Sequence, residues 1–210
     1  MRKKCMWWIA PVGILLIAGA LYGPILSNVE QPKYTVVKKE RNIEIRNYPS
    51  MIVAQVDVSG ERETALREGF RQIANYIFGN NLSSRKVAMT APVTQQASQK
   101  IAMTAPVTQQ GNGDHWQVRF IMPAKYTMQT LPRPNNPAVK LEEVQAERFA
   151  VIRFSGLAST ASLDRHTREL EAYLRSNHIK VLGSPTYAFY NPPWTLPFLR
   201  RNEIIIEVAR

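Results

Sequence analysis

The chain has 210 residues, 45% of them hydrophobic, with 27 Lys and Arg against 16 Asp and Glu, for a formal charge of +11. That length suits one domain of ordinary size with a real core, plus short extras. The only cysteine, Cys5, falls in the leader, which excludes a disulfide or a cysteine metal site from the rest of the chain.

Arg2, Lys3 and Lys4 precede an apolar run of twenty residues from Trp7 to Leu26. As a helix rising about 1.5 Å per residue, such a run spans roughly 30 Å, the thickness of a hydrocarbon core. Trp7, Trp8 and Tyr22 lie near its ends, where interface aromatics belong, and the basic flank predicts that the start stays in the cytoplasm while the rest crosses. The expectation is a membrane anchor over residues 7–26. A cleaved signal peptide stays open beside it, because Ala18-Gly19-Ala20 is a small-residue site and Trp7 to Ile17 has the length of an h-region. Either way the domain is exported, to the periplasm or extracytoplasmic face of a bacterium, or secreted after cleavage near Ala20. Residues 27–33, with Pro32, read as a linker, and residues 34–210 as the exported domain.

The body is one pattern written twice. Ile43 to Gly60 falls on Val139 to Gly156 at a constant offset of 96, with Ile45 on Leu141, Val56 on Ile152, Val58 on Phe154 and Gly60 on Gly156. Each stretch reads as two short strands and a turn. A helix is expected after each. Leu66, Phe70, Ile73 and Ile77 are spaced by four, three and four residues, as are Leu163, Thr167, Leu170 and Leu174. That spacing draws one apolar stripe. Gly79-Asn80 and Asn177 supply the stops.

Between the helix and the next strands lies a local duplication. Eleven residues, KVAMTAPVTQQ from Lys86, recur after a shift of fourteen with Val87 replaced by Ile101. Alternation through Met89 and Met103 predicts strands, as a hairpin or as one strand with a looped spare copy. Ile101 to Val107 can be laid over Tyr187 to Pro193, and Val118, Phe120 and Met122 alternate as Ile204, Ile206 and Val208 do. A proline-rich linker, residues 123–137, joins half one (34–122) to half two (138–210). The predicted fold is α+β: a twisted antiparallel eight-stranded open barrel with two helices and a pseudo-two-fold repeat, its seam a natural pocket.

Four motifs make the sequence familiar: KIAMTAPV at Lys100, FIMP at Phe120, RFSG at Arg153 and YNPPWTLPFLRRNE at Tyr190. Together they resemble the SOUL family of haem-binding proteins over residues 31–210. The resemblance implies non-enzymatic binding of haem or a related tetrapyrrole against the first helix, in an apolar groove with basic side chains near the ligand carboxylates. The candidate contacts are Arg62, Leu66, Arg67, Phe70, Arg71, Ile73 and Ile77, with Met89 and Met103 as soft contacts. The arginines are candidates because a guanidinium forks onto a carboxylate. His115, His166 and His178 fall in a turn, off the second helix's stripe and past its end, so weak or absent axial ligation is expected. Trp194 reads as cover for a core edge, and Arg200 and Arg201 as partners within the fold.

Two other readings stay open: a module for a different flat amphiphile, and an enzyme. Against the enzyme, no GxSxG, HExxH or phosphate loop occurs. The basic excess is spread along the chain, without zinc-finger spacing or a basic run interleaved with aromatics, and nucleic acid is not an expected partner.

Overall fold

The computed structural model describes residues 29–83 and 98–210. Strands β1 (Thr35–Glu40), β2 (Ile43–Tyr48) and β3 (Met51–Ser59) lead into helix α1 (Arg62–Ile77). After β4 (Asn81–Leu82) come β5 (Val107–Asn112), β6 (His115–Ile121), β7 (Arg133–Pro134), β8 (Lys140–Val144) and β9 (Glu147–Phe154). Helix α2 (Thr160–Ser176), β10 (Thr186–Phe189) and β11 (Asn202–Glu207) complete the chain.

Nine strands form one antiparallel sheet in the order β1-β2-β9-β11-β10-β5-β6-β3-β8, while β4 and β7 pair separately. The two halves explain this order. If β2 is exchanged with β8, β3 with β9, β5 with β10 and β6 with β11, the eight-strand order reads the same backwards. The pseudo-axis therefore falls between β5 and β10, which pair from Val107↔Phe189 to Gln110↔Thr186. The halves are also interlocked. β2 lies on β9 of the other half, and β8 lies on β3. The sheet curls into a half-barrel with two helices, as the repeat predicts. β1 is the addition: an edge strand with every residue exposed, carrying Lys38, Lys39 and Glu40, the kind of charge that keeps an edge from pairing with another chain.

Each helix makes its own core. Under α2, Leu163, Leu170 and Leu174 meet Ile43, Ile45, Ala150, Ile152, Ile204 and Ile206. Under α1, Ile73, Tyr76 and Ile77 meet Ala54, Val56, Val118, Phe120 and Met122. Ile204 and Ile206 face the helix side, and Ile205 faces a third, smaller cluster with Ala105, Ala188 and Tyr190 on the opposite side, as period two requires.

α1 starts because the Glu61 carboxylate accepts from the Glu63 and Thr64 backbone amides. Ser159 caps α2 by accepting from Ser162 N, and Asn177 closes it. The stripe of α1 lies slightly round the helix from the expected one: Arg62, Ala65, Gly69, Ile73, Tyr76 and Ile77 are buried. Gly69 permits this, since a Cβ there would lie 2.6 Å from Val118 Cβ. Leu66 and Phe70 are left on the flank of the buried stripe.

The expected strand over 101–107 does not form. Residues 101–103 pair with no strand, and β5 begins at Val107. Ile101 and Ala105 are buried, but their amides go to Ile77 O at 2.9 Å and Glu30 O at 2.9 Å, not to a ladder. Thr104 makes only an isolated bridge with Glu30, and Thr104 and Pro106 are buried as well, so burial does not follow the alternation. It follows that the counterpart of β10 is β5 at 107–112, not the 101–107 stretch. The first copy of the duplication, with Met89, and the leader with its expected anchor lie outside the described residues.

Candidate functional site

Of the residues expected to contact the ligand, Leu66 and Phe70 lie on the outer flank of α1, while Arg62, Ile73 and Ile77 are buried. Phe70 is 38% exposed, its ring 5.3 Å from that of Phe120. Leu66 is half-buried beside it, and Phe78, at the C-cap, is 58% exposed. The opposite flank is polar. Gln72 there accepts from Asn136 at 3.2 Å and donates to Glu68 at 3.0 Å. The apolar flank therefore turns away from residue 136, toward the middle of the sheet.

The arginines separate by role. Arg62 is buried and spans the pseudo-axis: it donates to Ala158 O at 3.1 Å and to Glu63 at 3.2 Å, while Gln109 of β5 donates to Arg62 O at 2.8 Å. Its Nε and the Gln109 Oε1 are buried without a protein partner. Tyr187 of β10 lies directly opposite Gln109, and burial, then the charge of Asp164, pushes its hydroxyl above the usual tyrosine range. Arg62 is thus part of the seam between the helices. Arg67 and Arg71 are exposed. Arg67 donates to Thr64 at 3.3 Å, and Arg71 pairs with Glu68 at 2.8 Å. Ile73 and Ile77 are fully taken up by the core. Met103 is half-buried, two residues past Ile101, whose amide bonds the last turn of α1.

The arrangement suits an amphiphile with an apolar plate and acidic groups. Leu66, Phe70 and Phe78 could take the plate, and Arg67 and Arg71 could take carboxylates. The three histidines lie off α1. His166 stacks on Phe154 at 4.0 Å with Nδ1 2.8 Å from Ser162 O, His115 lies by Asp114 in the β5–β6 hairpin, and His178 follows α2 with a positive φ of 54°. Among the described residues, no group of three His, Cys, Asp or Glu could hold a metal.

Two cavities lie elsewhere. One, of about 660 Å³, is lined by Glu30–Lys33, Pro49–Ile52, Ile121, Met122, Tyr126, Met128 and Glu143. The other, of about 470 Å³, is bordered by Tyr34, Tyr48, Arg148 and Arg210. Neither is lined by an α1 residue.

Sequence reasoning missed one constellation. Glu203, fully buried, accepts from Arg46 Nη1 at 3.0 Å and Nη2 at 3.1 Å, from Tyr190 Oη at 2.6 Å and from Arg201 at 2.8 Å. Tyr34 covers the Arg46 guanidinium at 4.2 Å, and Arg46 also donates to Tyr48 at 3.1 Å. Burial pushes the Glu203 carboxyl up, but the Arg46 and Arg201 guanidinia more than offset it and hold it below the usual range. Burial, then the Glu203 charge, drives the Tyr190 hydroxyl far up, so it stays protonated and donating. Arg201 indeed pairs within the fold, while Arg200 donates to the Thr195 and Pro193 carbonyls. Only the RRNE run hinted at this cluster, because Arg46 lies 157 residues away. Trp194 does not cover a core edge: it is 72% exposed.

The SOUL heme-binding protein family model matches residues 29–207, and the chain belongs to that family. It is 27% identical to mouse "Heme-binding protein 1" over 196 residues, 92% of this chain and 98% of the relative. It is 29% identical to human "Heme-binding protein 2" over 169 residues, 77% and 75% of the two chains. Solved structures share the fold at low identity. The EcmrR C-terminal domain superposes with a TM-score of 0.56 at 11% identity, covering 84% of this chain and 98% of that one. A protein from Listeria innocua titled a hydrolase gives 0.54 at 15%, covering 82% and 94%. At those identities the likeness is one of fold alone.

Proposed function

We propose that the domain binds haem or a related tetrapyrrole without chemical turnover, on the outer flank of α1, while held at the outer face of a membrane by residues 7–26. The observation that carries this is the Leu66–Phe70 flank. A family of haem binders supplies the ligand class, and this flank supplies apolar surface that the core leaves uncovered, with Arg67 and Arg71 beside it. Affinity comes from apolar burial and carboxylate pairing, with little from the iron.

The test is a hemin titration followed at the Soret band. A shift saturating at one per chain, retained with metal-free porphyrin, supports the reading. No shift with either ligand removes the tetrapyrrole.

A second reading rests on the 660 Å³ cavity. Met51, Ile52, Ile121, Met122, Met128 and Tyr126 give it a soft lining suited to another flat amphiphile. Loss of hemin binding in Phe70→Asp with retention in Met128→Asp favours α1, and the reverse pattern favours the cavity.

A further inference from the structure

The connection between β10 and β11 holds large apolar side chains out in water. Trp194 is 72% and Phe198 69% exposed, with Leu196 and Leu199 less so. Leu157, 59% exposed, joins them, because Gly156 N donates to Pro197 O at 2.9 Å. The loop is braced. Thr195 N donates to Pro192 O at 3.0 Å, Arg200 bonds the Thr195 and Pro193 carbonyls, and Arg201 N donates to Asn191 Oδ1 at 2.7 Å. Three prolines, Pro192, Pro193 and Pro197, stiffen it further. Large apolar side chains held exposed on one braced loop mark a candidate binding surface.

The start of the described chain is clamped to the feet of this loop. Val29 packs on Ala105, Ala188 and Tyr190. Ala105 N donates to Glu30 O at 2.9 Å, and Arg201 Nη1 donates to Gln31 Oε1 at 3.1 Å. Tyr190 and Arg201 are the two ends of the loop, joined by Tyr190 N to Arg201 O at 3.3 Å. The apolar run ends at Leu26, three residues before Val29. Three residues reach at most roughly 10 Å when fully extended. The headgroup layer outside the hydrocarbon core is itself roughly 5–8 Å deep on each side.

We infer that the Pro192–Leu199 loop, with Leu157, is a second membrane contact that seats Trp194 and Phe198 in the interface of the bilayer holding residues 7–26. The inference rests on the anchored reading of that run. The short tether selects lipid over a protein partner: it leaves the loop's feet no distance from the surface, and an indole beside a phenyl ring suits the headgroup boundary. The β5–β6 hairpin, at the far end of its strands, points away from the membrane.

The experiment uses the full chain with Cys5→Ser, reconstituted into phosphatidylcholine vesicles with and without spin-labelled lipid. A fluorescent label is placed at Phe198→Cys, or in a second protein at Trp194→Cys, and a control label at Asp114→Cys in the hairpin. Near-ultraviolet circular dichroism checks each fold. The expected result is a blue-shifted label at 198 and 194, quenched by the lipid spin label several-fold more than the label at 114. Equal quenching at all three positions, in chain that floats with the vesicles, overturns the loop contact and leaves the anchor standing. Chain that does not float with the vesicles removes the anchored reading and this inference together.

Discussion

Arg46 of β2 and Glu203 of β11 are joined by two hydrogen bonds, of 3.0 and 3.1 Å, reaching over β9 with both side chains buried. The pair ties the strand that half one lends to the sheet into half two. Removing one partner leaves the other buried charge one counter-charge short, with only Glu44 left to Arg46 or only Arg201 left to Glu203, and breaking a buried pair costs up to about 3–5 kcal/mol. Glu203→Gln and Arg46→Met should each lose that much in urea unfolding. The double variant should lose less than the sum, because both single variants remove the same interaction. Additive losses would mean the two residues act separately.

The same carboxylate sets a pH dependence. Its folded pKa lies below the ordinary glutamate value. The stability it contributes is therefore present above about pH 4.3, the unfolded value, and is lost as pH falls through the folded one. Between pH 7 and 5 the unfolding free energy of the native chain should vary little from this source. Below about pH 4 it should fall, and Glu203→Gln should show a shallower fall there. Parallel acid profiles would count against the assignment.

Gly69 is predicted to be intolerant of a side chain. A Cβ would meet Val118 Cβ and Cγ2 at 2.6 Å, and Val118 is fully buried between helix and sheet. Gly69→Ala should cost about 1–3 kcal/mol by overpacking, despite the better helix propensity of alanine. Adding Val118→Ala should recover part of the loss. Thermal melts of the three proteins decide it.

The ligand face and the seam should respond differently to substitution. Phe70 is 38% exposed, and a buried Phe side chain is worth about 1.5–3 kcal/mol. Phe70→Asp should weaken hemin binding by about 10- to 100-fold while shifting the unfolding midpoint little. Arg62→Gln should do the reverse: it loses the bond to Ala158 O and lowers stability more than affinity. Soret titration and urea unfolding on both variants separate the two.

Local periodicity carried a great deal. The 96-residue offset made both halves legible as strand, strand, helix, strand, strand, and Asn177 closes α2 where the sequence put its stop. Period also misled. Ile101 and Ala105 fit a period of two, yet Thr104 and Pro106 are buried as well and no ladder forms there. On α1, Leu66 and Phe70 fit the stripe as well as Ala65 and Gly69 do. Small residues carry no hydrophobic signal, so the true line of closest approach was invisible, and with it the reason Phe70 is left half-open.

The sequence by itself determined the family, the repeat and the helix that bears the candidate site, because these depend on residue identity and on spacing within a few turns. Only the tertiary structure decided that β2 and β8 cross to opposite halves, that Arg62 belongs to the seam, that Arg46 finds Glu203 and that Trp194 faces solvent. Those facts depend on which distant segments share a strand edge or a cleft. Pairing of that kind is chosen by the whole sheet closing around its axis, and no local pattern encodes it.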